Sequence, residues 1–186
     1  MDPDLEALMC EFESIHREAE ALTANLTDAQ FVWKPAAGKW SVMECFAHLV
    51  IVDGTDLPGI CSAIEDAQAR GVTGRGPFRY GVLSGWFVRS MEPPVKRFKV
   101  SAPPQYVPPA VVKDPRETVN GFLRIQDEIR DLLGEADGLD LARVKVLLPV
   151  GPGLKMSLGR RFQLLAAHDR RHLWQAKQVL RAVPTA

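Results

Sequence analysis

Cysteine is scarce in this chain of 186 residues: Cys10, Cys45 and Cys61 make an odd number, with no C-x-x-C spacing among them. A disulfide framework or a zinc ribbon needs more thiols at closer spacing, so these three read as reduced and mostly packed in a core. Charge of one sign is also missing, since Lys plus Arg and Asp plus Glu stand at 23 each. That balance excludes a nucleic-acid-binding or polyanion-binding protein recognised by charge. No apolar run approaches the roughly 18 residues of a membrane span, and the opening "MDPDLEALMCEFES" is acidic where a signal peptide would be basic. The expectation is a cytoplasmic protein with no membrane partner. "GVTGRGPF" and "GPGLKMS" lack the spacing of phosphate-binding loops, which excludes nucleotide binding, and "VKRFKV" reads as a solvated basic loop.

What is present is helical periodicity, on a length that suits one domain spanning residues 1–186. From Pro3 to about Ala24, Leu5, Leu8, Phe12, Ile15, Ala19 and Leu22 keep the three-and-four spacing of one buried face. Asp2 and Pro3 suit a helix start. A second helix opens at "SVME", where Ser41 and Glu44 form a capping box. Pro58 lies inside its pattern, which predicts a kink between Gly54 and Gly59 or a stop there. A third is expected from Asp114 as cap, with Pro115 in the first turn, Glu117 closing a capping box and Gly134 as terminator. "RVKVLLPVGPG" reads as extended, and Ser157 can cap a last helix that runs to about Val183. Between the second and third helices, residues 71–113 hold seven of the fourteen prolines and only one short helical stretch, "YGVLSGWFVRSM". The expected fold class is all-α, an antiparallel four-helix bundle with a long proline-rich crossover that can act as a lid.

Two of the four histidines, His168 and His172, stand four residues apart in "LLAAHDRRHLWQAKQ". On a helix this spacing stacks the two rings on one face, close enough for both to reach one ion. The wheel places His172 within the inward stripe of Leu158, Phe162, Leu165, Leu173, Ala176 and Leu180, and His168 at its edge. A third ligand is offered by His48 in "WSVMECFAHLV", two turns into the second helix and flanked by Glu44, Cys45, Val52, Thr55 and Gly59. Without a common ion, the same histidines would be a polar network within a bundle.

The capped "WSVMECFAHL" helix and the final "HDRRHLWQ" helix, in this order of elements, resemble the DinB/YfiT-like superfamily of bacterial four-helix proteins. The resemblance covers essentially the whole chain. It implies a divalent metal, nickel or zinc, held by His48, His168 and His172. Arg171 stands where many relatives carry an additional histidine, and Leu173 and Trp174 stand where they carry Arg-Gly, whereas Gln175 is kept. The resemblance further implies a metal-dependent thiol transferase or hydrolase acting on a small molecule such as a low-molecular-weight thiol, and a homodimer. The rival function is a non-catalytic, ligand-binding or stress-related bundle whose metal is structural or absent.

Seven further residues need an account. Asp169 lies in the buried stripe of the last helix, where it should be paired, either with a cation such as Arg161 or with a ligand histidine from behind. Asp53 is central on the second helix's apolar face, unless a break at Pro58 lets it cap the next turn. Cys45 faces the side of His48 but reads as inert core. His16 sits at the edge of the first helix's buried face, and Trp40, Trp86 and Phe87 are placed to line a pocket or to pack.

Overall fold

The computed structural model describes residues 1–94, 102–109, 114–149 and 153–184. The "VKRFKV" stretch at 95–100 lies outside them. Four long helices dominate: α1 (Pro3–Thr23), α3 (Val42–Ala69), α5 (Pro115–Glu135) and α6 (Leu158–Ala182). Two shorter ones, α2 (Asp28–Val32) and α4 (Val82–Met91), and a single 3-10 turn at Pro104–Tyr106 accompany them. The extended reading of "RVKVLLPVGPG" holds for β1 (Lys145–Leu147), which pairs antiparallel with β2 (Lys155–Ser157).

Each helix start follows from its local chemistry. The Asp2 carboxylate accepts from Asp4 N–H at 3.0 Å, and Ser41 and Glu44 satisfy each other's backbone N–H groups at 3.2 and 2.9 Å. Such caps are worth about 1 kcal/mol each. Asp114 caps α5 alone: it accepts from Arg116 and Glu117 N–H, while the Glu117 side chain reaches Arg124 at 2.7 Å instead of closing a box. Ser157 occupies the cap position of α6, but its hydroxyl makes no capping bond. Gly134 does not terminate α5, which runs one residue past it to Glu135. The left-handed turn falls instead at Gly138, with φ +82°, a conformation glycine adopts without steric cost.

Pro58 does not stop α3, which continues through it to Ala69. The lost hydrogen bond is tolerated because both faces of the helix are held by packing. The helix α3 lies between α5 and α6, and α1 closes the bundle against the same two. Phe12, Phe46, Phe122 and Phe162, one from each long helix, are all at most 1% exposed, and the Phe46 and Phe122 rings meet edge to face with centroids 5.5 Å apart. Each such ring contributes roughly 1.5–3 kcal/mol by leaving water. On the outer side of α6, Val88 of α4 packs on Leu164 and Ala167. That contact holds α4 beside the half of the bundle where the histidines lie. Among the described residues no helix is long and apolar enough to cross a membrane.

Candidate metal centre

The capping box fixes where α3 begins, and two turns later it delivers His48 to the face of the helix that looks at α6. There the ring meets His168 and His172, as the spacing in the sequence allowed. Ring centroids lie 5.2 Å apart for His48 and His168, and 4.6 Å for each of the other two pairs. One ring nitrogen of each lies within 4.8 Å of those of the other two. His48 and His172 are 3% and 7% exposed, and the Trp40 ring stands over both, at 4.8 and 5.7 Å.

The hydrogen bonds decide which nitrogens are available. His48 Nδ1 lies 2.7 Å from the Tyr106 carbonyl oxygen. A carbonyl only accepts, so Nδ1 donates its proton there and Nε2 keeps a lone pair. His172 Nδ1 donates in the same way to Gln175 Oε1 at 3.1 Å. His168 turns Nε2 toward His48 Nε2, 3.3 Å away, and its Nδ1 is buried without a hydrogen-bond partner. Burial lowers the pKa of all three rings. For His168 the neighbouring His48, Arg161 and Arg171 add to burial, and the value falls to about 3. The rings are therefore neutral at pH 7, the form in which imidazole binds a metal.

Behind His168 lies a second polar group that the helical wheel did not join. Asp53 of α3 and Asp169 of α6 are both fully buried, and each offers a carboxylate oxygen within 4.8 Å of a His168 ring nitrogen. Gln126 of α5 donates to Asp169 Oδ2 at 3.0 Å. Burial and mutual repulsion hold Asp53 well above the usual carboxylate range, and burial raises Asp169 as well. Asp169 thus does not take Arg161 as its partner. Arg161 pairs with Asp56, one turn from Asp53, and both members of that pair are buried. Nor does Asp53 cap anything, because α3 is unbroken around it.

The remaining candidates fall elsewhere. Cys45 packs in the core, where burial pushes its thiol up, and Glu44 is held by Ser41 and by Lys34 at 2.7 Å. His16 faces Asp127 and Glu20 at 3.5 and 3.8 Å and takes no part in the cluster. Of the expected cavity wall on α3, Val52 lines the cavity together with His48 and Asp56. Thr55 is exposed and bonds back to the Ile51 carbonyl, and Gly59 lets the β1 backbone approach, a Cβ there lying 3.7 Å from the Leu147 carbonyl oxygen.

The three histidines sit in a cavity of about 1450 Å³. Typical small-molecule sites run to roughly 300–1,000 Å³. Trp40, Trp86 and Phe87 all line it, joined by Trp174 and Met156. Sequence reasoning missed the Tyr106 carbonyl, a backbone group in an irregular segment that no side-chain pattern marks. It also missed the meeting of Asp53 with Asp169.

Three neutral imidazoles whose ring nitrogens converge are a donor set for a borderline divalent ion such as zinc or nickel. The orphaned His168 Nδ1 beside two carboxyl groups fits that use, because metal-bound histidines commonly donate their second N–H to a carboxylate. Comparison with curated proteins and with solved structures gave no match. The model of the DinB superfamily matches residues 11–176, a span that includes all three histidines, and the chain belongs to that superfamily.

Proposed function

We propose that the chain is a DinB-like metalloprotein in which His48, His168 and His172 hold one divalent ion, zinc or nickel, at the base of the large cavity. The observation that carries this reading is the approach of three ring nitrogens to within 4.8 Å of one another, although His48 and His168 stand 120 positions apart on two helices. Three protein ligands leave a coordination position for a small molecule, the arrangement of catalytic zinc sites. An ion there supplies Lewis acidity, which activates a coordinated nucleophile or polarises a substrate oxygen.

The protein's own part is positional. Tyr106 and Gln175 hold His48 and His172 with Nε2 presented, and the Trp40 ring packs against both. We assign the activity to transfer or hydrolysis on a small molecule, with a low-molecular-weight thiol as the co-substrate that the superfamily relation suggests. We place the protein in the cytoplasm and expect a homodimer.

Elemental analysis of protein purified without a histidine tag tests the site. One ion per chain, lost in His48→Ala and in His168→Ala, is the expected result. A chain that takes up neither zinc nor nickel on dialysis would refute it. Thiol-transfer and ester- or amide-hydrolysis assays on the loaded protein then separate an enzyme from a binding protein.

A further inference from the structure

The walls of the cavity carry two features that the metal does not need. The first is apolar surface that remains open to solvent. Leu83, Trp86 and Phe87 of α4 line the cavity and are 80%, 53% and 39% exposed. Leu154, on the facing hairpin, lines it as well and is 56% exposed. A soluble chain rarely leaves such side chains grouped in the open unless something apolar covers them. Together with Trp40 and Trp174 they give the cavity that holds the three histidines an extensive apolar wall.

The second feature is the sign of the charge. Among the described residues that line the cavity the only carboxylate is Asp56, and it is paired with Arg161. Lys39, Lys145, Lys155 and Arg171 line the same space. Arg171 precedes His172 in the chain and lines the same cavity. A dication held by three neutral rings adds to this positive field, so an anion bound beside it lowers the cost of the whole assembly.

We infer that the cavity takes an amphipathic anion: a long or bulky apolar body that lies along Trp40, Trp86, Phe87 and Trp174, with an anionic head directed to the three histidines. The inference deepens the reading above and rests on it for the metal that receives the head. The large volume and the aromatic walls select the body, and the absence of an unpaired lining carboxylate among the described residues selects the sign of the head. A cationic amphiphile of the same length meets the same walls with the wrong charge.

Four probes of matched design separate these contributions: decanoate, decan-1-ol, decylamine and acetate, titrated calorimetrically into zinc-loaded and zinc-stripped protein. Decanoate is expected to bind both forms, and to bind the loaded form at least about tenfold tighter than decanol or decylamine, a step of about 1.4 kcal/mol. Acetate, which has the head without the body, is expected to bind at least about a hundredfold more weakly than decanoate. Trp86→Ala, a change at a half-exposed side chain, should weaken decanoate and decanol alike. Arg171→Gln should weaken decanoate alone. Equal binding of decylamine and decanoate, or no binding of any ten-carbon probe, overturns the inference. Zinc content is measured on the same samples: a chain that takes zinc but does not prefer decanoate refutes this inference and leaves the metal reading standing. A chain that takes no zinc refutes the metal reading, and the stripped-protein arm alone then decides the preference for anions.

Discussion

His48 Nε2 and His168 Nε2 face each other at 3.3 Å, and only one of them can bring a proton to that contact. The Tyr106 carbonyl already holds the His48 proton on Nδ1, so in the metal-free chain His168 must donate from Nε2. Were both Nε2 atoms to serve as metal ligands, the His168 proton would sit on Nδ1, beside Asp53 and Asp169. Nitrogen-15 NMR of the imidazoles is therefore expected to show His48 as the Nδ1–H tautomer with and without zinc. His168 should change from Nε2–H to Nδ1–H on zinc addition. A His168 signal that zinc leaves unmoved would contradict this arrangement.

Gln175 acts on the site through His172. Its Oε1 accepts the Nδ1 proton at 3.1 Å and so keeps Nε2 free. Loss of such an acceptor generally costs about 10–100-fold in metal affinity. Gln175→Leu should weaken zinc binding by about that factor in competition with a chromophoric chelator, and Gln175→Glu, which retains an acceptor, should restore it. Both variants should unfold within about 0.5 kcal/mol of the parent, as half-exposed positions usually do. Equal zinc affinity in the Leu variant would remove Gln175 from the site.

Helix starts and the histidine spacing were readable in the sequence because both are local. Asp2, Ser41 with Glu44, and Asp114 with Pro115 announce their helices within four residues, and a separation of four places His168 and His172 on one side of any helix. The helical wheel fails where the partner comes from another element. Asp53 and Asp169 are each marked as anomalous carboxylates on apolar faces, but their meeting depends on how α3 packs on α6. The pairing of Arg161 with Asp56 instead of Asp169 depends on the same packing. Glu117 shows a different failure: its long side chain had two satisfactory partners, and the exposed Arg124 competes with the backbone N–H of the cap.

The buried carboxyl pair makes stability depend on pH in a stated direction. Asp53 and Asp169 hold protons more tightly in the folded chain than in the unfolded one. Between the ordinary carboxylate range and their raised values the folded state therefore binds more protons. Their contribution to stability is complete below that window, is lost as pH rises through it, and is constant above it. The three histidines, with lowered pKa values, act in the opposite sense below about pH 6.5, so the carboxyl contribution shows above it: urea midpoints of the metal-free protein should fall from pH 7 to pH 8. Asp53→Asn, whose amide can donate to an ionised Asp169, should raise the unfolding free energy at pH 8 by on the order of 1–3 kcal/mol and flatten the profile. A variant less stable than the parent at pH 8 would show that the pair is not repulsive.

Arg161 and Asp56 form the one ion pair among the described residues with both members under 10% exposed. In such a pair the attraction mainly offsets two desolvation costs, so its net worth is small although either member alone is expensive. Arg161→Met should leave Asp56 buried and unpaired and cost roughly 3–5 kcal/mol of unfolding free energy. Asp56→Leu combined with Arg161→Met replaces both charges with apolar volume and should return to within about 1 kcal/mol of the parent. Chemical denaturation of the two single variants and the double variant measures the coupling directly. If Arg161→Met costs less than about 1 kcal/mol, water reaches Asp56 in solution, and the wall of the cavity below His168 is wetter than its burial indicates.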